Sequence, residues 1–270
     1  MTPQRDWDAL LGKLNKVLLT GAGIGVLFFL IFPVFVVVPM SFSDASSLKF
    51  PPTEFSFRWY QQVFSNTDWI NAIQTSFGLS LLASSIALVL GSLAAYGLVR
   101  GTMRGKKLLH SNFIAPLIIP PVILAVALYM GLAAIGWLGS FAGLLLAHTL
   151  LAIPYVVLIM SVAIQAFDIR IEQVAFTLGA SWLTMFTRVL LPNLVPSAMA
   201  AWIFAFITSF DEVVITNFIA GTYDTIPKRM FNELILQVSP GITAIATVLI
   251  VISLVLMSIF AKVTFGSKKR

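Results

Sequence analysis

Residues 172–192, EQVAFTLGASWLTMFTRVLLP, form a polar stretch of helical character enclosed by long apolar runs, and their reading decides what kind of protein this is. Two helical pieces are expected, roughly 168–178 and 181–190, with Gly179 between them where the backbone needs a freedom that a side chain would deny. Pro192 is expected to stop the second piece and open the next apolar run. Small residues at the bend (Ala175, Gly179, Ala180, Ser181) would let a partner's backbone come close. Large apolar ones (Leu178, Leu183, Phe186, Val189) are expected to hold the piece against the chain's own helices. In a chain otherwise built for lipid, such a stretch reads as a docking surface.

The lipid setting follows from composition. Of 270 residues, 59% are hydrophobic and 10% charged, with a mean hydropathy of +0.96; soluble domains carry about 25% charged residues. Apolar runs spread over the whole length leave no room for a soluble domain, so 1–270 is expected to be a single all-α membrane domain. The net charge of +6 sits mostly at the ends of apolar runs. Membrane topology explains it, and nucleic-acid binding is not implied. Cysteine is absent, which excludes disulfides, thiolate metal sites and cysteine nucleophiles. Lys13 and Lys16 precede an apolar run too long for a cleaved signal peptide, so that run is expected to stay as the first span.

Residues 4–18 place Trp7, Leu10, Leu11, Leu14 and Leu18 at helical spacing, as in an interfacial helix on the membrane surface. Six spans are then expected at 17–40, 70–99, 108–135, 138–164, 196–220 and 241–262, each long enough to cross about 30 Å of hydrocarbon at about 1.5 Å per residue. Residues 135–140, IGWLGS, are the sole candidate turn between the third and fourth spans, so that hairpin is tight. Lys and Arg divide unevenly. Thirteen (Arg5, Lys13, Lys16, Arg100, Arg104, Lys106, Lys107, Arg170, Arg188, Lys262, Lys268, Lys269, Arg270) fall on one side, against four (Lys49, Arg58, Lys228, Arg229) on the other. The positive-inside rule makes the first side cytoplasmic, with both termini and the 100–107 and 166–193 loops. Pro116, Pro120, Pro121 and Pro154 interrupt spans and free carbonyls that neighbouring helices or cavity water must satisfy.

The 172–192 spacing resembles the EAA loop of binding-protein-dependent ABC importers: EAA, three residues, Gly, nine residues, an aliphatic residue, any residue, Leu-Pro. Gln173-Val174-Ala175 fall at EAA, Gly179 at the glycine, Val189 at the aliphatic position and Leu191-Pro192 at the end. Gln173 stands where Glu is usual and Val174 where Ala is usual, while Glu172 lies one residue early. Further motifs are SFS at 41–43, FSFRWYQQVF at 55–64, AHTLLAIPYVV at 147–157, SFDEVVITNF at 209–218 and TIPKRMF at 225–231. With them, nearly the whole chain resembles the permease subunits of polyamine-type ABC importers.

That resemblance implies a type I importer permease fold in a bacterial inner membrane. It implies a second permease subunit, two cytoplasmic ATP-binding subunits docked on the loop, and a periplasmic binding protein that delivers substrate. Glu172, Gln173, Val174, Ala175, Gly179, Ala180, Leu191 and Pro192 would form the coupling loop. ATP and Mg²⁺ would be bound by the partners and no cofactor by this chain. The substrate would be a small amine, putrescine or spermidine, or another amino compound such as an aminobutyrate-like molecule or an aminophosphonate.

The residues themselves offer little bond chemistry. GTMRGK at 101–106 has three residues between its glycines where a phosphate cradle needs four, and Lys107 where it needs Ser or Thr. No HExxH occurs, and His148 in the fourth span reads either as a hydrogen-bonded buried imidazole or as a ligand or proton relay. Asp211-Glu212 is the one acidic pair at membrane depth, roughly 22 Å along the fifth span from Pro196. Either it lines a substrate pathway with Ser209, or Ser209-Phe210-Asp211-Glu212 is a capping box that starts a helix after a break. A self-sufficient secondary transporter would need ion-coupling residues in several spans, and an intramembrane hydrolase a nucleophile facing a base; neither set is evident.

Overall fold

The computed structural model describes residues 4–236 and 239–266. They form the helices α1 (Gln4–Met40), α2 (Arg58–Ser65), α3 (Thr67–Arg100), α4 (Lys106–Ile118), α5 (Pro121–Ala134), α6 (Phe141–Ala166), α7 (Ile169–Thr177), α8 (Trp182–Met185), α9 (Leu191–Phe210), α10 (Val214–Ile219), α11 (Ile226–Leu236) and α12 (Gly241–Gly266). A π-helical turn, Phe186–Leu190, joins α8 to α9. Among the described residues, β pairing is limited to one bridge, Ser43 with Phe55. Internal contacts divide the chain into a unit containing α1, α2 and α12 and a unit running from Asn66 to Ile235.

Four stretches of the described residues are long and apolar enough to cross a membrane: Gly12–Met40, Thr67–Arg100, Phe141–Ala166 and Trp182–Phe210. The apolar run expected as a span over 108–135 is broken into two helices. Its halves, α4 and α5, meet at 108°. Pro120 and Pro121 remove two consecutive amide donors and bar the residues before them from helical geometry, so the ladder cannot pass Ile119. Counting the pair as one gives five, and α12 is apolar over Gly241–Val255 as well. The surface helix expected at 4–18 is not a separate element. Nothing between Gln4 and Pro33 removes a backbone donor, and α1 runs through unbroken. The amphipathic face set by Trp7, Leu10 and Leu11 lies outside the described side chains, as Lys268, Lys269 and Arg270 lie outside the described residues.

In the first unit, α12 packs against α1 and α2. Between α1 and α3, α2 is amphipathic, and its buried residues are Trp59 and Val63. Ser41 Oγ meets Tyr60 Oη at 2.7 Å, and Trp59 Nε1 donates to Ala45 O at 3.2 Å. Phe50, Phe55, Phe57 and Phe64 are exposed.

The second unit is built on α3, α6 and α9. Their shared seam is small-residue rich: Ala87, Ala95, Ala152, Ala201 and Ala205 are fully buried beside Val156, Met160 and Ile164. Without a hydrophobic drive between helices in lipid, such close backbone approach supplies the dispersion energy of association. A second cluster joins α5 and α10 to α6 through Leu124, Ala125, Leu144, Ala147, Ile215 and Ile219. The tight 135–140 hairpin is present between α5 and α6. Gly139 N donates to Ile219 O at 3.1 Å, and a Cβ on Gly221 would lie 2.8 Å from Gly139 Cα, so both turns need glycine.

Candidate functional site

The 166–193 loop is built from α7, α8 and the π turn. Asp168 caps α7, its Oδ1 accepting from Arg170 N at 2.9 Å. The helix closes on Gly179 at φ +84°, where Gly179 N donates to Phe176 O and Ala180 N to Ala175 O, both at 3.0 Å. That bond pair is a Schellman termination, which favours glycine because L-residues clash in the left-handed region. Ser181 then caps α8 through Thr184 N at 3.2 Å.

Two expectations for this loop need correction. Pro192 does not stop the second piece, because helix runs from Trp182 to Phe210 without a break. The π turn widens the backbone just ahead of the proline, with Leu191 N reaching Phe186 O, and Asn193 Nδ2 takes up Val189 O at 2.6 Å. The extra residue per turn relieves the ring's clash with the preceding turn. Leu178 and Leu183 do not face the chain's own helices; they are 82% and 63% exposed. Phe186 and Val189 do pack inward, as expected, on a core holding Ala175, Met185 and Leu190.

Helical phase separates the two candidate polar residues. Glu172 is 4% exposed, and its Oε1 accepts from Arg100 Nε at 2.9 Å and Nη2 at 2.8 Å. Arg100 Nη2 also donates to Phe167 O at 2.8 Å. The loop is thereby tied to the end of α3. Gln173 and Val174 are exposed, as are Leu191 and Pro192 in the first turn of α9, while Ala180 sits half-buried in the turn between the pieces. Tyr96 meets Trp182 and Phe186 edge-on, and those two rings stack at 5.3 Å. The outward face is apolar: Ile171, Val174, Phe176, Leu178, Trp182 and Leu183 are all exposed.

The acidic pair lies in a helix break, 211–213, rather than inside one span over 196–220. Glu212 caps α10, its Oε1 accepting from Ile215 N at 2.8 Å. Ser209 is not the cap of a capping box. Its Oγ lies 2.9 Å from His148 Nδ1, and His148 Nε2 lies 3.0 Å from Thr216 Oγ1. Thr216 Oγ1 donates to Glu212 O at 2.8 Å, so it accepts from His148. The imidazole then carries its proton on Nε2, and Ser209 donates to Nδ1. His148 is thus a buried, hydrogen-bonded fastener between α6 and both sides of the break.

Asp211 is exposed, with no side-chain partner among the described residues. Beside it runs a ladder that the sequence reading passed over: Trp202, Phe206 and Phe210 at intervals of four on α9, with Phe206 and Phe210 stacked at 5.6 Å and Phe77 of α3 against Phe210 at 5.1 Å. The i, i+4, i+8 spacing of three aromatics was its signal. Lys228 is buried, donating to Gly221 O and Tyr223 O and pairing with Asp224 at 2.9 Å, which fastens the 221–225 turn.

Residues 87–266 match the family of binding-protein-dependent transport system inner membrane components. The chain belongs to this family of ABC importer permeases. It is 32% identical over 238 residues to the Haemophilus influenzae spermidine/putrescine transport system permease protein PotC, covering 87% of this chain and 92% of that one. It is 33% identical over 231 residues to the Escherichia coli putrescine transport system permease protein PotI, covering 82% of each. The fold is similar to a crystal structure of a bacterial ABC transporter involved in the import of the acidic polysaccharide alginate: TM-score 0.72 at 16% identity, over 97% of this chain and 98% of that one. The permease is therefore a multi-pass inner-membrane protein and a transport subunit, not an enzyme.

Proposed function

We propose that this permease is one half of the membrane channel of an ATP-driven importer carrying a small cationic amine, of the putrescine and spermidine kind, from periplasm to cytoplasm. It crosses the membrane six times, with α4 and α5 together as the third span and both termini cytoplasmic. It pairs with a second permease subunit, receives substrate from a periplasmic binding protein and docks two ATP-binding subunits that hold the ATP and Mg²⁺; it binds no cofactor itself.

The observation that carries the coupling role is the apolar face of the 166–193 loop. Six large apolar side chains exposed together on a segment assigned to the aqueous side need a protein to cover them. Behind that face, Glu172–Arg100 and the core contacts of Ala175, Met185 and Leu190 make the loop one body with α3, α6 and α9. Closure of the ATPase pair then moves those helices and alternates access. The small residues Gly179 and Ala180 mark the point of closest approach.

Amine specificity is supported by the likeness to the spermidine/putrescine permease PotC and the putrescine permease PotI and by Asp211 at the end of the aromatic ladder. A carboxylate offsets the cost of stripping water from an ammonium group, and aromatic faces attract cations by about 0.5–2 kcal/mol each. Uptake of labelled putrescine and spermidine per assembled complex tests this with Asp211→Asn. A large fall with normal assembly is expected; near-normal uptake removes Asp211 from the pathway. Transport of an aminobutyrate or aminophosphonate in place of both amines overturns the substrate class.

A further inference from the structure

The end of α3, the start of α4 and the end of α6 enclose a crevice of about 490 Å³ that the transport role does not use. Lys106, Lys107, His110 and Ser111 line it from α4 and Gln165 from α6, over an apolar floor from α3. None of its lining residues is acidic. The sequence holds no Asp or Glu between Asp68 and Asp168, and the Glu172 carboxylate is already taken by Arg100. Lys106 is committed too, its Nζ donating to Val99 O and Gly101 O, both at 3.1 Å. Lys107 and His110 have no such bond among the described residues.

The start of α4 adds to this positive field. Its cap is Gly105 at φ +84°, which has no side chain to accept from the first-turn amides, and no acid stands in that turn. Uncapped amides at a helix N-terminus carry partial positive charge and favour an anion. Outside the crevice, Leu108 and Ile118 on α4 are 77% and 78% exposed, a surface suited to acyl chains.

We infer that this crevice binds the phosphodiester headgroup of an anionic phospholipid in the cytoplasmic leaflet, with Lys107, His110, Ser111 and the first-turn amides of α4 as donors. Basic pockets between spans on the cytoplasmic side have the charge and depth to hold such headgroups. The leaflet rests on the orientation proposed above. The binding itself does not.

The test uses the full permease, co-expressed with its partner subunits and purified in detergent, titrated with dioctanoyl phosphatidylglycerol, dioctanoyl phosphatidylcholine and inorganic phosphate. Saturable binding of phosphatidylglycerol alone is expected, weakened about fivefold or more by Lys107→Gln with His110→Gln. Arg104→Gln, a charge change outside the crevice, should leave it unaltered. Since Lys107 is exposed, Lys107→Gln alone provides a folded variant in which weakening must still be seen. Unchanged affinity in these variants, or equal loss with Arg104→Gln, overturns the site. Displacement by inorganic phosphate at equal concentration overturns the lipid assignment. Labelling of Met103→Cys by an impermeant thiol reagent from the periplasmic side would sink the orientation while leaving headgroup binding intact.

Discussion

Replacing Glu172 tests the division of labour within the coupling loop. The Arg100–Glu172 pair has side chains only 14% and 6% exposed, so deleting the carboxylate strands a guanidinium that water barely reaches. Removing one partner of a buried pair costs about 3–5 kcal/mol. Arg100 keeps its bond to Phe167 O, which places Glu172→Ala at the low end, about 3 kcal/mol. At about 1.4 kcal/mol per tenfold, opening of α7 should become about 100-fold more frequent. Hydrogen exchange of the 171–178 amides in the purified complex reads this directly. Glu172→Gln, which keeps an acceptor for Arg100 Nε, should fall between. Gln173→Ala, at an exposed position, should leave exchange unchanged while weakening ATPase docking. Equal loosening by Gln173→Ala and Glu172→Ala, or protection within about threefold of wild type in Glu172→Ala, would refute the inward placement of Glu172.

Gly179→Ala should destabilise the loop by about 1–2 kcal/mol through backbone strain alone, since a Cβ there meets nothing within 4 Å; Gly179→Leu should melt with Gly179→Ala yet lose substrate-stimulated ATP hydrolysis, and normal stimulation would end the coupling role. Gly91→Ala should lower the melting temperature, because its Cβ would lie 2.7 Å from Val156 Cγ1 and 2.8 Å from Val156 Cβ; added to Val156→Gly, which removes both atoms, Gly91→Ala should cost less than in the wild type, and an equal cost would place the strain elsewhere. Glu212→Ala should cost about 1 kcal/mol of stability by uncapping α10, against almost nothing for Asp211→Ala; equal melting curves would contradict that assignment. In this cysteine-free chain, Ser47→Cys and Thr222→Cys should react with impermeant thiol reagents from the periplasm and Met103→Cys should not, the buried Thr225 being a poor reporter.

What the sequence determined were the features set by neighbours along the chain. Runs of apolar residues fixed where helices enter lipid, because every backbone polar group there must be bonded within its own segment. Gly179, with the Leu191-Pro192 spacing, located the loop, because a Schellman turn needs a residue tolerant of positive φ. The 135–140 hairpin was legible for the same reason. What only the tertiary structure decided depended on partners far away in sequence. Glu172 and Gln173 differ by one residue and about 100° of helical phase, and Arg100, 72 residues earlier, chooses which one faces in. Leu178 and Leu183 look like core in any local pattern, yet the core at that end is already filled by Ala175, Met185, Leu190 and the stripe along α3, α6 and α9. Pro192 signals a stop locally, and the following turns override it because a π turn leaves α9 packed on α3 and α6. His148 could be read as a hydrogen-bonded buried imidazole or as a ligand or relay, and only Ser209 and Thr216, 61 and 68 residues on, decide for the first by taking both its nitrogens. Hydrogen bonds at that separation leave no periodic trace in the sequence, since each partner is specified by packing rather than by spacing.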